Sequence, residues 1–319
     1  MANKGEFGLI EHIKGLFEVP AGVMGIGDDC AVIPMGQEDI VVTTDMLVEG
    51  VHFLCSDATP EQVGYKAAAV NLSDIAAMGA SPVGAFLSLA LPKEAQGEWA
   101  ERMVDGLAEA CRAYDVPLLG GDTTSSLRDI CINVAVVGRV PHGADLLRGG
   151  AQVGDVVYVT GPLGDSGGGL KVILSGEARS DDAKHLVERH YHPSPRLAEG
   201  VALASLHAHA HAMMDISDGI ASDLGHILKA SGVGAEVELD VLPLSEELVG
   251  ECSRRGWSAT EIAASAGEDF ELLVTGSCDL PSLVDFPLYP IGRIVAGDHI
   301  VWLSQGREVA FDKQGYKHF

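Results

Sequence analysis

Aspartate is a poor strand residue and a weak helix former, and in most proteins it occupies surface turns and caps. In this sequence it recurs among apolar residues and glycine. Gly25–Ala31 reads GIGDDCA, with Asp28 and Asp29, and Thr43–Asp45 (TTD) closes an apolar run. Asn71–Asp74 (NLSD) leads into IAAMGA, and Gly120–Thr124 reads GGDTT after the hydrophobic Val116–Leu119. Met213–Gly219 reads MMDISDG, with Asp215 and Asp218 three apart and so on one face if helical. Singly, each has a structural reading: an Asx-turn at Asp28 or Asp29, a turn at Asp122, a helix cap at Asp218. Five such segments in one chain ask for a common cause. A buried carboxylate is costly without a metal or a basic partner, and the chain has only 21 Lys and Arg. Carboxylates flanked by threonine hydroxyls suit Mg²⁺ better than a metal that prefers thiolate or imidazole.

Glycine beside these aspartates lets backbone amides approach phosphate oxygens, and Gly120-Gly121 before Asp122 is the clearest case. Gly161–Gly169 (GPLGDSGGG) is either a second such loop or a tight turn with close helix packing. It has neither the Gly-Lys-Ser/Thr ending nor the Gly-x-Gly-x-x-Gly spacing of the common nucleotide fingerprints.

The elements that must carry these residues follow from periodicity. Ile40–Thr44 (IVVTT) reads as a strand whose polar continuation, Asp45 through Phe53, leaves the sheet. Thr59-Pro60-Glu61 is a helix start, and Tyr65, Ala69, Leu72, Ile75 and Ala76 then recur at helical spacing, with Asp74 on or at the end of that helix. Phe86–Leu91 and Ile130–Val137 are predicted strands. Glu94–Tyr114 is predicted as a long amphipathic helix with Trp99 in a core-facing stripe. Beyond the glycine- and charge-rich Pro141–Gly154, strands are expected at Val156–Thr160, Ala235–Leu239, Phe270–Val274 and Leu288–Val295. Helices and strands mix without strict alternation. The expectation is a mixed α/β chain of two domains, residues 1–145 and 146–319.

Length and composition agree: 319 residues with 47% hydrophobic content can build two cores. A formal charge of −25 disfavours wrapping nucleic acid or an anionic membrane. The six cysteines form no Cys-x-x-Cys pair, which fits reduced thiols in a cytoplasm. Neither a secretion signal nor a run of about 20 apolar residues is visible, so a soluble, cytoplasmic protein is expected. His207, His209 and His211 (HAHAH) read as an exposed alanine-rich helix rather than a metal site, and Glu246, Glu247 and Glu251 as a solvated helix face.

Taken together, GIGDDCA, TTDMLVEGVHF, YKAAAVNLSDIAAMGA, GGDTT, MDISDGIASDLGHI and AGEDFELL resemble the thiamine-monophosphate kinase family, a branch of the aminoimidazole ribonucleotide synthetase-like superfamily. The resemblance runs in order from Gly5 to about Leu273, with a similar ending at Gly315–Phe319 (GYKHF). It implies ATP-dependent phosphorylation of thiamine monophosphate to thiamine diphosphate by a homodimer whose amino-terminal domains share a sheet, with ATP near their interface. Carried over by position, the implied Mg²⁺ ligands are Asp29, Thr43, Thr44, Asp45, Asp74, Asp122, Asp215 and Asp218. Gly121, Asp122, Arg148 and Ser217 match ATP-binding positions. His52 and Glu268 match substrate-binding positions, with Tyr316 as an aromatic wall. The acceptor is already an anion, so no covalent nucleophile is expected. Within the superfamily, a selenophosphate synthetase would need a reactive amino-terminal cysteine, and the first here is Cys30. A hydrogenase-maturation protein would end in cysteine, and this chain ends in Phe319. A rival of another class is a non-catalytic nucleotide- and Mg²⁺-sensing module, which would bind ATP without turnover.

Overall fold

The computed structural model describes residues 5–311; Tyr316 and the Gly315–Phe319 ending lie outside them. Helix α1 (Gly5–Lys14) precedes β1 (Ala31–Met35) and β2 (Glu38–Val48). Then come α2 (Pro60–Ala77), β3 (Ser81–Leu91), α3 (Glu98–Ala113), β4 (Leu118–Ser125) and β5 (Cys131–Pro141). The second half contains β6 (Val156–Val159), α4 (Asp165–Ser175), α5 (Asp181–Tyr191), α6 (Leu197–Ala204) and β7 (Ala210–Asp215). It continues with α7 (Ile220–Ser231), β8 (Gly234–Glu238), α8 (Glu246–Arg255), α9 (Ala259–Ser265), β9 (Leu272–Gly276), β10 (Tyr289–Val295), β11 (Ile300–Ser304) and β12 (Arg307–Glu308). Two sheets result, in the orders β1-β2-β5-β3-β4 and β12-β11-β8-β10-β6-β9-β7.

Helix α2 joins them. Its start is the one read from sequence: the Thr59 hydroxyl accepts from Gln62 N, and the Gln62 side chain accepts from Thr59 N. Fourteen of its 18 residues are buried, so it is a core helix apolar nearly all round rather than a surface helix with one wet face. One side packs against the first sheet and α3. Its end, Ala76 and Ala77, packs with Tyr158, Met213 and Val274 on one face of the second sheet. The alternate residues Val157, Val159 and Met214 face α7 and α9 on the other side, as strand periodicity requires. Contact between α2 and α3 depends on two glycines. A Cβ on Gly64 would collide with Met103 O, and one on Gly106 with Glu61 O.

Several expectations are corrected. β2 does not end at Asp45: it pairs with β5 in unbroken register to Val48↔Cys131, because Leu47 fills the core beyond the acidic residue. The Glu94–Tyr114 helix is broken at Gly97 (φ 87°), leaving a short turn before α3. His207 and His209 lie in a turn and His211 on β7, where its Nδ1 faces Asp155 at 2.9 Å, so the stretch is not a helix. Glu251 is buried, with ion pairs to Arg254 and Arg255 and the Ser180 hydroxyl donating to it; α8 is not solvated there.

Among the described residues no helix is long and apolar enough to cross a membrane. Gly64→Val should destabilise the fold by about 2 kcal/mol or more, since backbone rather than a movable side chain stands in the way. Gly225→Ala is the control: Gly225 lies within α7 with nothing near its missing Cβ, and the change should stabilise by up to about 1 kcal/mol. Denaturant midpoints check both.

Candidate active site

One cavity of about 1360 Å³ lies where α2, the β1–β2 region, α4, α5, the β7–α7 turn and the loop before β9 converge. Pockets for a single small ligand span roughly 300–1,000 Å³, so this one has room for two. Its ends differ in chemistry.

At one end the acidic segments meet. Asp29, Asp74 and Asp215 each place a carboxylate oxygen within 4.8 Å of the others. One turn of α2 organises the group. Asn71 Oδ1 accepts from Asp45 N (2.9 Å), Ser73 Oγ donates to Asp215 Oδ2 (2.6 Å), and Asp74 Oδ2 accepts from the Thr43 hydroxyl. The NLSD motif is thus a three-pronged clamp on strands from both sheets. Asp215 ends β7 and Asp218 lies in the following turn, so the two are not on a helix face. Asp223 of α7 holds that turn by accepting from Asp218 N (3.1 Å) and Gly219 N (3.0 Å). Thr43 and Thr44, being consecutive on a strand, point oppositely. The Thr44 hydroxyl lies on the sheet's other face, where Asn133 Nδ2 donates to it at 2.8 Å.

Electrostatics records the crowding. Burial, then the Asp29 charge, pushes the Asp215 carboxyl up to about 8. Burial and the charges of Asp45, Asp215 and Asp29 hold Asp74 well above the usual carboxylate range. Burial also raises Asp29, although Arg148 opposes it. Asp28 is raised to about 6 by burial and then by Asp29. Arg148 pairs with Asp29 through Nη2, and its backbone N–H donates to Asp28 Oδ2 at 3.0 Å. Asp29 Oδ2 is buried with no hydrogen-bond partner. An all-oxygen donor set with an orphaned buried carboxylate oxygen fits a hard divalent cation.

The other end is largely apolar and holds a buried ion pair. Tyr191, Phe270, Leu170 and Val51 line it, with His52 and Glu268. His52 Nδ1 accepts from Val48 N at 3.0 Å, which leaves the ring proton on Nε2. Glu268 meets a cation the sequence reading missed: Lys66 Nζ, 1% exposed, lies 2.9 Å from Glu268 Oε1. A lysine in an alanine-rich helix carries no signal of this in sequence. Ser217 lines the cavity, and its carbonyl accepts from Glu268 N at 2.8 Å.

Gly121 and Asp122 do not line this cavity. They lie on β4, an edge strand exposed at all eight positions. Register puts Asp45, Val134, Leu87 and Gly121 in one row across β2, β5, β3 and β4. At about 4.8 Å per strand, Gly121 is about 14 Å from Asp45.

Residues 27–140 match the AIR synthase related protein N-terminal domain, and residues 152–302 the corresponding C-terminal domain. The thiamine-monophosphate kinase of Salmonella typhimurium is 41% identical over 306 residues, spanning 92% of this chain and 91% of its own. The chain belongs to the thiamine-monophosphate kinase family. Solved structures agree. AaThiL complexed with AMPPCP and TMP superposes with a TM-score of 0.89 at 37% identity, covering 100% of this chain and 99% of its own. The thiamine-monophosphate kinase of Stenotrophomonas maltophilia K279a gives 0.77 at 38%, covering 95% and 98%. The two-domain mixed α/β architecture expected from the resemblance is therefore the family's fold.

Carboxyls raised in the folded state bind protons that the unfolded chain has released, so they make stability fall as pH rises. Above about pH 6.5 the opposing contribution of His190, held down to about 4 by burial and Lys66, is already complete. In EDTA, the unfolding midpoint of this kinase-family chain should therefore drop between about pH 6.5 and 8.5. MgCl₂ should flatten that slope more than NaCl of equal ionic strength, which only screens. A midpoint that rises across this window, or equal effects of the two salts, would remove the carboxylate cluster as the cause.

Proposed function

We propose that this site transfers the γ-phosphoryl group of ATP directly to the phosphate of thiamine monophosphate, giving thiamine diphosphate. The observation that carries the reading is the two-ended cavity: a carboxylate cluster fit for divalent cations, continuous with an apolar end holding His52 and Glu268. The AMPPCP and TMP of the AaThiL complex are the two kinds of ligand it calls for.

Asp29, Asp74 and Asp215, with Asp45, Asp218 and Thr43 beside them, would hold Mg²⁺. Ions bound there would neutralise charge on the two phosphate groups that must approach each other. The chain's own groups supply position. His52 offers Nε2–H towards the acceptor, Glu268 faces its ring end, and Ser217 and Arg148 border the nucleotide. An acceptor phosphate is already an anion, so in-line attack needs no strong base. Ser166 pairs with His190 Nδ1 at 2.9 Å in the cavity wall, but at 2% exposure it is no nucleophile for a substrate. In this reading the chain divides at residue 145, in the segment between β5 and β6. The protein acts in the cytoplasm.

A homodimer completes the site in this reading. The face of the first sheet turned away from α2 and α3 exposes Met46 and Phe86, and edge strand β4 exposes Leu118 and Leu119. An isologous pair across that face brings Gly121 and Asp122 of β4 to the other protomer's cavity. That assigns Asp122 to metal and ATP in trans.

ADP formation should require both Mg²⁺ and thiamine monophosphate, with free thiamine a poor acceptor; equal turnover of thiamine, or ATP binding with no turnover, would sink the assignment. Asp74→Asn should lower kcat by far more than tenfold, a barrier change well above about 1.4 kcal/mol. The same change should raise the metal-free unfolding midpoint, because it deletes one of the crowded charges. Retained activity at a tenth of wild type or better removes Asp74 from the machinery. For Asp122, inactive Asp74→Asn and Asp122→Asn proteins are unfolded together and refolded 1:1. Heterodimers then carry one intact site, and about a quarter of wild-type activity returns if Asp122 acts in trans. No recovery places it in cis.

A further inference from the structure

Lys66 is the least expected residue in the cavity. It projects from α2, the helix that carries Asn71, Ser73 and Asp74, but towards the opposite, apolar end. Its side chain is 1% exposed, and an ammonium that deep must be paired. Its partners are fully accounted for by three groups. Nζ lies 2.9 Å from Glu268 Oε1, 3.5 Å from His190 Nε2, and 5.9 Å from the centre of the Tyr191 ring.

An ammonium has donors only, so His190 Nε2 must accept from it and His190 Nδ1 must carry the proton. Nδ1 then donates to Ser166 Oγ at 2.9 Å. Burial and the Lys66 charge keep this histidine neutral, its pKa pushed down to about 4. Ser166 is itself fixed at the start of α4, where its N–H and that of Gly164 donate to the buried Asp269. The chain Ser166–His190–Lys66 backs onto Glu268, whose Oε1 meets Lys66 Nζ and whose Oε2 lies 3.5 Å from His190 Nδ1.

The backbone of Glu268 is fixed as well. Its φ is +62°, in the left-handed region that non-glycine residues rarely adopt, and its N–H donates to Ser217 O at 2.8 Å. Gly267, before it, lies so close to Ser217 that a Cβ there would collide with the Ser217 carbonyl. Yet the Glu268 side chain is 31% exposed, against 1% for Lys66. Burial alone would raise its carboxyl, but the Lys66 ammonium holds it below the usual range, so it is an anion throughout neutral pH. A carboxylate held from below in this way still presents its exposed edge to the cavity.

We propose that Lys66 is a positioning residue for acceptor recognition, clamping Glu268 so that the exposed edge of its carboxylate meets the cationic, donor-bearing ring system of the acceptor. This rests on the reading given under Proposed function, in which the acceptor is thiamine monophosphate: a thiazolium and an aminopyrimidine offer such a cation and such a donor. Lys66 itself touches no substrate. Its contribution is to present an ionised, oriented group without leaving a charge stranded in the protein.

The test is a double-mutant cycle in the full-length protein with Lys66→Met, Glu268→Gln and the two combined. If Lys66 acts through Glu268, each single change raises KM for thiamine monophosphate by about tenfold or more, while kcat and KM for ATP stay within about threefold. The double variant then shows no larger rise than either single one, because the second change removes nothing further. A structural role moves different quantities. Lys66→Met strands a carboxylate and lowers the unfolding midpoint, and the double variant, with no stranded charge, recovers the midpoint. Should Lys66→Met fail to fold, the double variant against Glu268→Gln still decides the matter. Recovery of KM along with the midpoint, multiplicative effects on KM, or a KM in Lys66→Met within threefold of wild type would each overturn the proposal. Wild-type turnover of thiamine monophosphate is the separate check on the underlying reading, and its absence would leave these KM comparisons without a substrate rather than contradict the clamp.

Discussion

Three carboxylates within 4.8 Å of one another are the constraint around which the rest of this structure is arranged. Brought that close and taken out of water they repel, and nothing intrinsic to Asp29, Asp74 or Asp215 would hold them together. The fold does so by mounting them on separate rigid parts. Asp29 precedes β1, Asp74 rides on α2, and Asp215 ends β7 in the other sheet. Only packing of α2 into both cores makes the three converge, which is why that helix is buried on nearly all sides and needs glycine at its crossing with α3. Hydrophobic burial supplies the free energy that the acidic cluster opposes. A site kept in tension in this way is ready for cations before they arrive.

Much of this was visible in sequence because it depends on residue type and local spacing. The start of α2 was legible from Thr59-Pro60-Glu61, all within one turn. The acidic segments stood out because aspartate among alanines and glycines has no good local use. What depends on distant partners did not show. Asp215 and Asp218 had helical spacing, but β9 pairs with the segment as far as Asp215 and makes it a strand end. The only carboxylate near His211 in sequence is Asp215, but the partner it meets is Asp155, 56 residues away. Glu251 had the pattern of a wet helix face until Arg254, Arg255 and Ser180 closed over it. Lys66 was invisible for the same reason: its partners Glu268 and His190 come from segments more than a hundred residues away.

The sequence also placed Gly121 and Asp122 in the same set as the other acidic residues, and within one protomer they are not there. Both observations hold together if the unit that reads the nucleotide is larger than one chain. Edge strand β4 is exposed throughout, with leucines at its start and glycines and an aspartate after them. An edge strand of that length invites pairing or cover. The chemistry of GGDTT, backbone amides beside a carboxylate and hydroxyls, serves no evident need of the isolated subunit, whose own cavity opens on the other side of the sheet row.

The opposition between the two ends of the cavity then selects the acceptor by its charge pattern. Loaded with cations as proposed, the carboxylate cluster would attract a phosphate and repel a bare organic cation. A clamped carboxylate at the apolar end attracts a cationic ring and offers little to a simple phosphate. A molecule gains from both only if it carries an anionic group at one end and a positive, hydrogen-bond-donating ring at the other, linked by a short spacer. Free thiamine has the ring without the anion, and inorganic phosphate the reverse. Because α2 carries Asp74 to one end and Lys66 to the other, eight residues apart along one rigid helix, the distance between the two recognitions is set by about 12 Å of helical rise. Discrimination here follows from that fixed separation as much as from any single contact.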